Sequence, residues 1–347
     1  MRNKNIDVLK GMAILFVIYY HILWAAVGYK ASPTAVFFHS SCMQLFFFIS
    51  GYLSFRLIGK EERRSYINKS IIKKVRYVLM PTILMFIFSI WYFHLDLCYW
   101  LGDDFKNGYW FTYVLFFVFI LHYLIVLPLQ SFEKRKWKDI LIITITFMLM
   151  VNSRVFPNLI NNDVVHLFSL RFVFYYWFYF TFGYFVSKYK ETANYIVSLP
   201  IVRTIVFVLA IIPLHYFDEG FKRAMLESIV SPARVVVIFY LINEIRFFGE
   251  NHIISNQLAK IGRHSLEIYF LHYYFLFGMP IVLKELTQQL DMYVVRGPGA
   301  TFTLEIMIIV PIAVIIAYLC IFLRSIFNFT PPLSEILFGK MPKDWVW

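Results

Sequence analysis

Cysteine is scarce in this chain. Cys42, Cys98 and Cys320 stand in three separate segments with no CxxC spacing, so neither a disulfide framework nor a thiolate metal site is indicated, and no metal is expected. Charge is scarce too, at 16% of 347 residues, and acidic side chains most of all: 21 Asp and Glu against 33 Lys and Arg. No Gly/Ser-rich or Pro-rich stretch acts as a linker, and no repeat of about 20 to 50 residues recurs. The loops are too short for a second domain, so one domain over residues 1–347 is expected.

What is abundant is apolar surface. With 60% hydrophobic residues and a mean hydropathy of +0.65, the chain cannot hide its apolar side chains in one water-soluble core. It reads as an all-α, multispanning transmembrane helical bundle. Apolar runs cover residues 6–27, 35–57, 75–95, 109–127, 140–151, 167–186, 201–217, 229–248, 266–283 and 302–327. That makes about ten spans, with both termini on one side. The fifth and seventh runs are at or below the short end of the usual range of about 17 to 25 residues.

The amino terminus imitates a secretory signal, with a basic segment before an apolar run. The run is long for a signal and no small-x-small cleavage site follows, so a retained first helix is expected.

The net charge of +12 does not point to nucleic acid, because the basic residues fall in short clusters between apolar runs. When alternate loops are assigned to alternate sides, 24 of the 33 Lys and Arg lie on the side of the termini and 9 on the other. The dense clusters at 60–76 and 134–138 share the first side. By the positive-inside rule that side is the cytoplasm.

Within the runs, polar groups recur at places where lipid contact would be expensive. Lys10 and His21 are eleven positions apart, which brings them within about 20° on one helix face and about 16 Å apart along the axis. With Lys10 at a headgroup boundary, His21 lies near the middle of the bilayer, where an ionisable group is a functional-site hypothesis. A histidine that only hydrogen-bonds a neighbouring helix fits the spacing equally well. Asp7 precedes Lys10 by about one turn.

Three other stretches carry polar groups. Ser50 and Gly51 interrupt an aromatic run, and small residues there permit close helix approach. Lys73 and Arg76 share a face at the start of the third run, suited either to phosphates or to anionic lipid. Ser265, Tyr269 and His272 follow an i, i+4, i+7 spacing and line one stripe. Aromatic residues, 20% of the chain, crowd at 172–180, where helix packing and interface belts account for most of them.

Together these elements resemble the integral-membrane acyltransferase 3 family, which includes bacterial enzymes that O-acetylate cell-surface polysaccharides and lipid-linked oligosaccharides. Three landmarks carry the resemblance: a basic residue, ten residues, then histidine (Lys10 and His21); Phe-Phe-x-Ser-Gly-Tyr at 47–52; and Ser-Leu-x-Ile-Tyr-x-x-His at 265–272. Trp110-Phe111 opening the fourth run, and Lys73 and Arg76 ahead of Pro81, also fit. The resemblance runs over nearly the whole chain. Lysine stands at positions 10 and 73 where the family usually has arginine, which keeps the charge and loses the planar fork.

The resemblance implies an acyl-CoA-dependent O-acyltransferase of the bacterial inner (plasma) membrane, with acetyl-CoA as donor and a glycan or lipid-linked sugar as acceptor. Donor phosphates would meet Lys73, Arg76 and Lys10. His21 would act as general base or acyl-accepting nucleophile, oriented with Lys10 and Asp7, while His272 positions the acceptor or relays protons. Ser50, Trp110, Ser265 and Tyr269 are expected on the substrate side. The tenth run ends near the carboxyl end, which would keep the chemistry within the membrane domain. The alternative is a secondary transporter or flippase for a lipid-linked sugar, since intramembrane Lys, His and Asp also build proton relays.

Overall fold

The computed structural model describes residues 3–26, 33–59, 61–94, 96–129, 136–156, 162–217, 220–244, 252–277, 305–327 and 337–338. Among them every regular element is helical, so the protein is an all-α, multi-pass membrane protein. Six helices among the described residues are long and apolar enough to cross a membrane: Lys4–Trp24, Pro33–Ser54, Arg63–Phe93, Trp110–Leu129, Phe221–Ile242 and Glu305–Phe327. The seventh expected run, 201–217, is helical over Pro200–Ala210, which forms with the preceding Lys190–Ser198 a broken pair bent by 84°. Leu199 between them is extended, with ψ 124°, because a residue before proline is pushed out of the helical region. Helices also form over the fifth and sixth runs, as Lys136–Val155 and Leu170–Lys188. The ninth run is helical over Ser265–Phe277; its remainder to residue 283 lies outside the described residues, as do Lys134 and Arg135 of the second basic cluster.

Proline also explains where helices widen. π-helical turns occupy Val75–Leu79, His122–Val126 and Glu305–Ile309, and Pro81, Pro128 and Pro311 follow each by two residues. A proline has no N–H for the carbonyl four residues back and its ring crowds that carbonyl, so the preceding turn opens into a wider ring. A fourth π turn, Ile22–Ala26, follows His21.

Contacts group the chain into two compact units. The first comprises 1–46, 209–218 and 233–330. Its first helix, Lys4–His21, is capped by Asn3, whose Oδ1 accepts from the Asn5 N–H at 3.0 Å, with Asp7 in the first turn complementing the helix dipole. This helix crosses Ile253–Arg263 at two glycines. A Cβ on Gly11 would stand 2.1 Å from the Leu258 carbonyl oxygen, and one on Gly262 would stand 1.8 Å from that of Asp7. Buried Arg234 is held in the same unit by the carbonyls of Ala210 (2.9 Å) and Ile212 (2.8 Å), with Phe37 beneath its guanidinium at 4.7 Å.

The second unit comprises 47–208, 219–232 and 331–347. Leu170–Lys188 is buried over most of its length, Tyr175, Tyr176, Tyr179, Thr181 and Tyr184 included. Gly183 lets it meet the segment of Gly51: a Cβ on Gly51 would stand 1.8 Å from the Phe180 carbonyl oxygen. That is the close approach expected of a small residue there. Lys188 pairs with Asp139, Arg154 with Glu227, and Thr181 donates to Thr146 at 3.1 Å.

Between the spans Arg63–Phe93 and Trp110–Leu129, Lys106 takes a left-handed φ of 48°. Its Nζ donates to the carbonyls of Leu101 (3.0 Å) and His166 (2.8 Å). Burial pulls the Lys106 ammonium down to about 8, against the opposing pull of Asp104 and Asp103.

Candidate functional site

The first helix delivers His21 at its last turn, and Ser265–Phe277 delivers His272 and Tyr273. His21 Nδ1 lies 2.9 Å from His272 Nε2, and the Tyr273 hydroxyl lies 3.0 Å from His21 Nε2. The two imidazoles stack with centroids 5.1 Å apart and planes 13° from parallel. His272 is fully buried and His21 half-buried.

The partners assign the protons. Among the described residues His272 Nδ1 faces only backbone carbonyls, Tyr269 at 2.7 Å and Ile268 at 3.1 Å. A carbonyl can only accept, so Nδ1 carries the hydrogen and Nε2 of neutral His272 carries the lone pair. His21 must then donate from Nδ1 to that lone pair, which leaves its own lone pair on Nε2. Tyr273 donates its O–H there. The chain Tyr273, His21, His272, Tyr269 carbonyl runs in one direction and ends on backbone.

This arrangement has the logic of a base held in one tautomer by a second group. His21 Nε2 is a lone pair already accepting a hydroxyl proton. If His21 becomes imidazolium, its Nδ1–H remains bonded to an acceptor, so the positive charge stays hydrogen-bonded inside the protein.

The other expected residues are placed as follows. Asp7 and Lys10 are buried in the first unit, in the turns that cross Ile253–Arg263. Of the 265–272 stripe, Ser265 is half-buried at the helix start, Tyr269 is buried and supplies the carbonyl that fixes His272. In the second unit Lys73 and Arg76 are both exposed, on the shared face expected of an i, i+3 pair. Lys74 turns inward instead, with Nζ 3.6 Å from the centre of the Phe119 ring. Trp110 opens its helix half-buried, with ring centres 5.0 Å from Phe172 and 5.1 Å from Tyr176. Ser50 is half-buried beside Gly51. Among the described residues no group of three or more His, Cys, Asp or Glu could hold a metal ion.

Sequence reasoning missed Tyr273. The available signal was its position next to His272, but which hydroxyl meets Nε2 depends on a pairing between helices far apart in sequence. It missed Glu305 as well, whose buried carboxylate accepts from the Tyr19 hydroxyl at 3.0 Å and from Thr34.

Neither a curated protein nor a solved structure gives a match to the chain. A family model does: that of the acyltransferase 3 family, described as an acyltransferase domain, matches residues 3–322, nearly the whole chain, and the protein belongs to that family.

Proposed function

We propose that this membrane acyltransferase moves an acetyl group from acetyl-CoA to a sugar hydroxyl of a surface polysaccharide or lipid-linked oligosaccharide, with His21 as general base. The observation that carries the reading is the lone pair on His21 Nε2, 3.0 Å from a hydroxyl, with the opposite nitrogen tied to His272. An acceptor hydroxyl in place of that of Tyr273 would give its proton to Nε2 as its oxygen attacks the thioester carbonyl. The carbon–sulfur bond then breaks, and the thiolate leaves with the proton returned from the imidazolium. Family membership favours this chemistry over the transporter alternative.

Lys73 and Arg76 are proposed to hold the donor's phosphates from the cytoplasmic side. Both are exposed, as a site reached from water requires. Both termini are proposed to lie in the cytoplasm, a reading that the positive-inside bias supports, with the protein in a bacterial inner membrane.

Two measurements test the reading together. Purified protein in detergent should turn over acetyl-CoA. Mass spectrometry of surface glycans should show acetyl esters lost when the protein is removed from the cell. Acetylation unchanged in its absence, with no turnover in vitro, sinks the proposal.

A further inference from the structure

The second unit holds a buried polar pair that the proposed chemistry does not use. His122 is fully buried, and neither of its ring nitrogens has a hydrogen-bond partner among the described residues. The Tyr184 hydroxyl, also buried, has none either. The two rings meet edge to face, 4.5 Å between centres. Three unsatisfied polar atoms so close together are expensive, and in native proteins such groups call for an explanation. Strain, a functional role, or a water, ion or ligand taken up by the site are the explanations such groups have.

The surroundings say what kind of ligand fits. Phe180 lies 5.1 Å from the His122 ring and 4.9 Å from Phe119, and the Lys74 ammonium sits over Phe119. An aromatic path therefore leads from the basic cluster at 73–76 to the His122 and Tyr184 pair. The pair lies toward the same end as the Lys188 and Asp139 contact, since Tyr184 is one turn before Lys188. His122 sits in the π turn forced by Pro128, where the helix is wider.

A neutral imidazole offers one donor and one acceptor, and a phenol offers a further donor. Phosphate or carboxylate offers acceptors only and would set its lone pairs against that of the imidazole. An amide offers one N–H and one C=O and matches the set. Methylenes on either side of an amide suit the rings of Phe119 and Phe180.

We infer that His122 and Tyr184 form a buried subsite for an uncharged amide, that of the pantetheine arm of the acyl donor. The inference rests on the acyl-CoA donor proposed above. Lys73 and Arg76 take the charged end of the donor at the exposed edge, and the subsite takes its neutral arm. The orphaned atoms are then the unliganded face of a binding site, satisfied when the arm enters.

Calorimetric titration of CoA and of pantetheine onto the full-length protein in detergent, with thermal melting of the same samples, tests this. Tyr184→Phe removes only the hydroxyl oxygen, and His122→Phe keeps an aromatic ring. Each should weaken both ligands about 5- to 10-fold, the size of a neutral hydrogen bond. Each should also raise the melting temperature of the ligand-free protein, because an unsatisfied buried group has been replaced by an apolar one. In turnover assays, discrimination between acetyl-CoA and the amide-free thioester of mercaptoethanol should fall by the same factor. Unchanged CoA affinity in both variants, with wild type binding CoA, overturns the subsite and leaves the donor assignment standing. A wild type that binds neither CoA nor acetyl-CoA overturns the donor assignment and the subsite with it. A lowered melting temperature with unchanged discrimination marks the pair as structural and also overturns the subsite.

Discussion

Gly11 and Gly262 stand backbone against backbone. A Cβ on Gly262 would be 2.8 Å from the Gly11 nitrogen and 1.8 Å from the Asp7 carbonyl oxygen. The crossing fixes the first helix beside Ile253–Arg263, and Ser265–Phe277, with its His272, follows after His264 alone. The glycine pair therefore sets the register in which His21 can meet His272.

Gly262→Ala should thus be felt in both stability and chemistry. A methyl that meets backbone cannot be accommodated by a side-chain rotation, so the helices must separate, at about 1–3 kcal/mol for overpacking. The expected result is a lower melting temperature in detergent together with reduced turnover. Gly59→Ala, which meets nothing within 4 Å, serves as control and should melt like wild type. Equal melting curves for both variants would remove the close crossing.

The direction of the hydrogen-bond chain ranks the site variants. His21→Ala removes the proposed base, and acyl transfer should fall by about 10² or more with expression and insertion near normal. His272→Ala leaves His21 in place but removes its fixed acceptor, so kcat should fall steeply while KM for the donor changes little. Tyr273→Phe removes a donor that the acceptor displaces in the proposed mechanism, and turnover should stay within about tenfold of wild type, the range of a single neutral hydrogen bond. A Tyr273→Phe variant as inactive as His21→Ala would make the tyrosine, and not the imidazole, the proton-transfer group.

The amount of this legible in the sequence varied with the range of the interaction. Lys10 and His21 lie on one helix, so period alone places them on one stripe, and the i, i+4, i+7 spacing does the same for Ser265, Tyr269 and His272. The close approach at Gly51 was readable because only backbone geometry is involved. The bend before Pro200 was less so: it falls between the expected runs at 167–186 and 201–217, where the chain turns through 84° at Leu199. The expected count of ten spans exceeds the six or seven helices apolar and long enough among the described residues. Lys136–Val155 and Leu170–Lys188 form as helices, but the first carries Lys136, Lys138, Asp139 and Arg154, and the second carries five tyrosines and threonines. Tyr273, His122 and Glu305 were out of reach because their significance lies in partners on other helices.

The loop at Lys106 gives a pH dependence. Its folded value of about 8 lies below the ordinary 10.5, so the folded state resists the ammonium form that the unfolded chain keeps. Between about pH 8 and 10.5 the unfolded state holds more protons, and stability from this group rises with pH across that window. Below pH 8 both states are charged and the burial cost is fully present. Lys106→Met lacks the titration. Hence the melting temperature of wild type relative to Lys106→Met should climb from pH 8 to 10.5 and stay level from pH 6 to 7.5. A flat difference throughout would show that the ammonium is stabilised by its carbonyl partners as fully as water would stabilise it.

The exposed pair Lys73 and Arg76 admits two roles, donor phosphate and anionic lipid, and they predict different outcomes. If the pair holds phosphate, Lys73→Ala should lose a charge-assisted contact of about 1.5–3 kcal/mol, or roughly 10- to 100-fold in affinity for acetyl-CoA. Lys73→Arg should bind as well as wild type or better, because guanidinium offers phosphate a planar fork where ammonium offers a point charge. A phosphate role also requires the loss to shrink with pantetheine, which lacks those charges. A lipid anchor would instead alter insertion or stability and leave the affinity for acetyl-CoA as it was. Calorimetry of acetyl-CoA and pantetheine on the three proteins separates the cases. Unchanged affinity in both Lys73→Ala and Arg76→Ala would move the phosphate site elsewhere, with Lys10 the next residue to test.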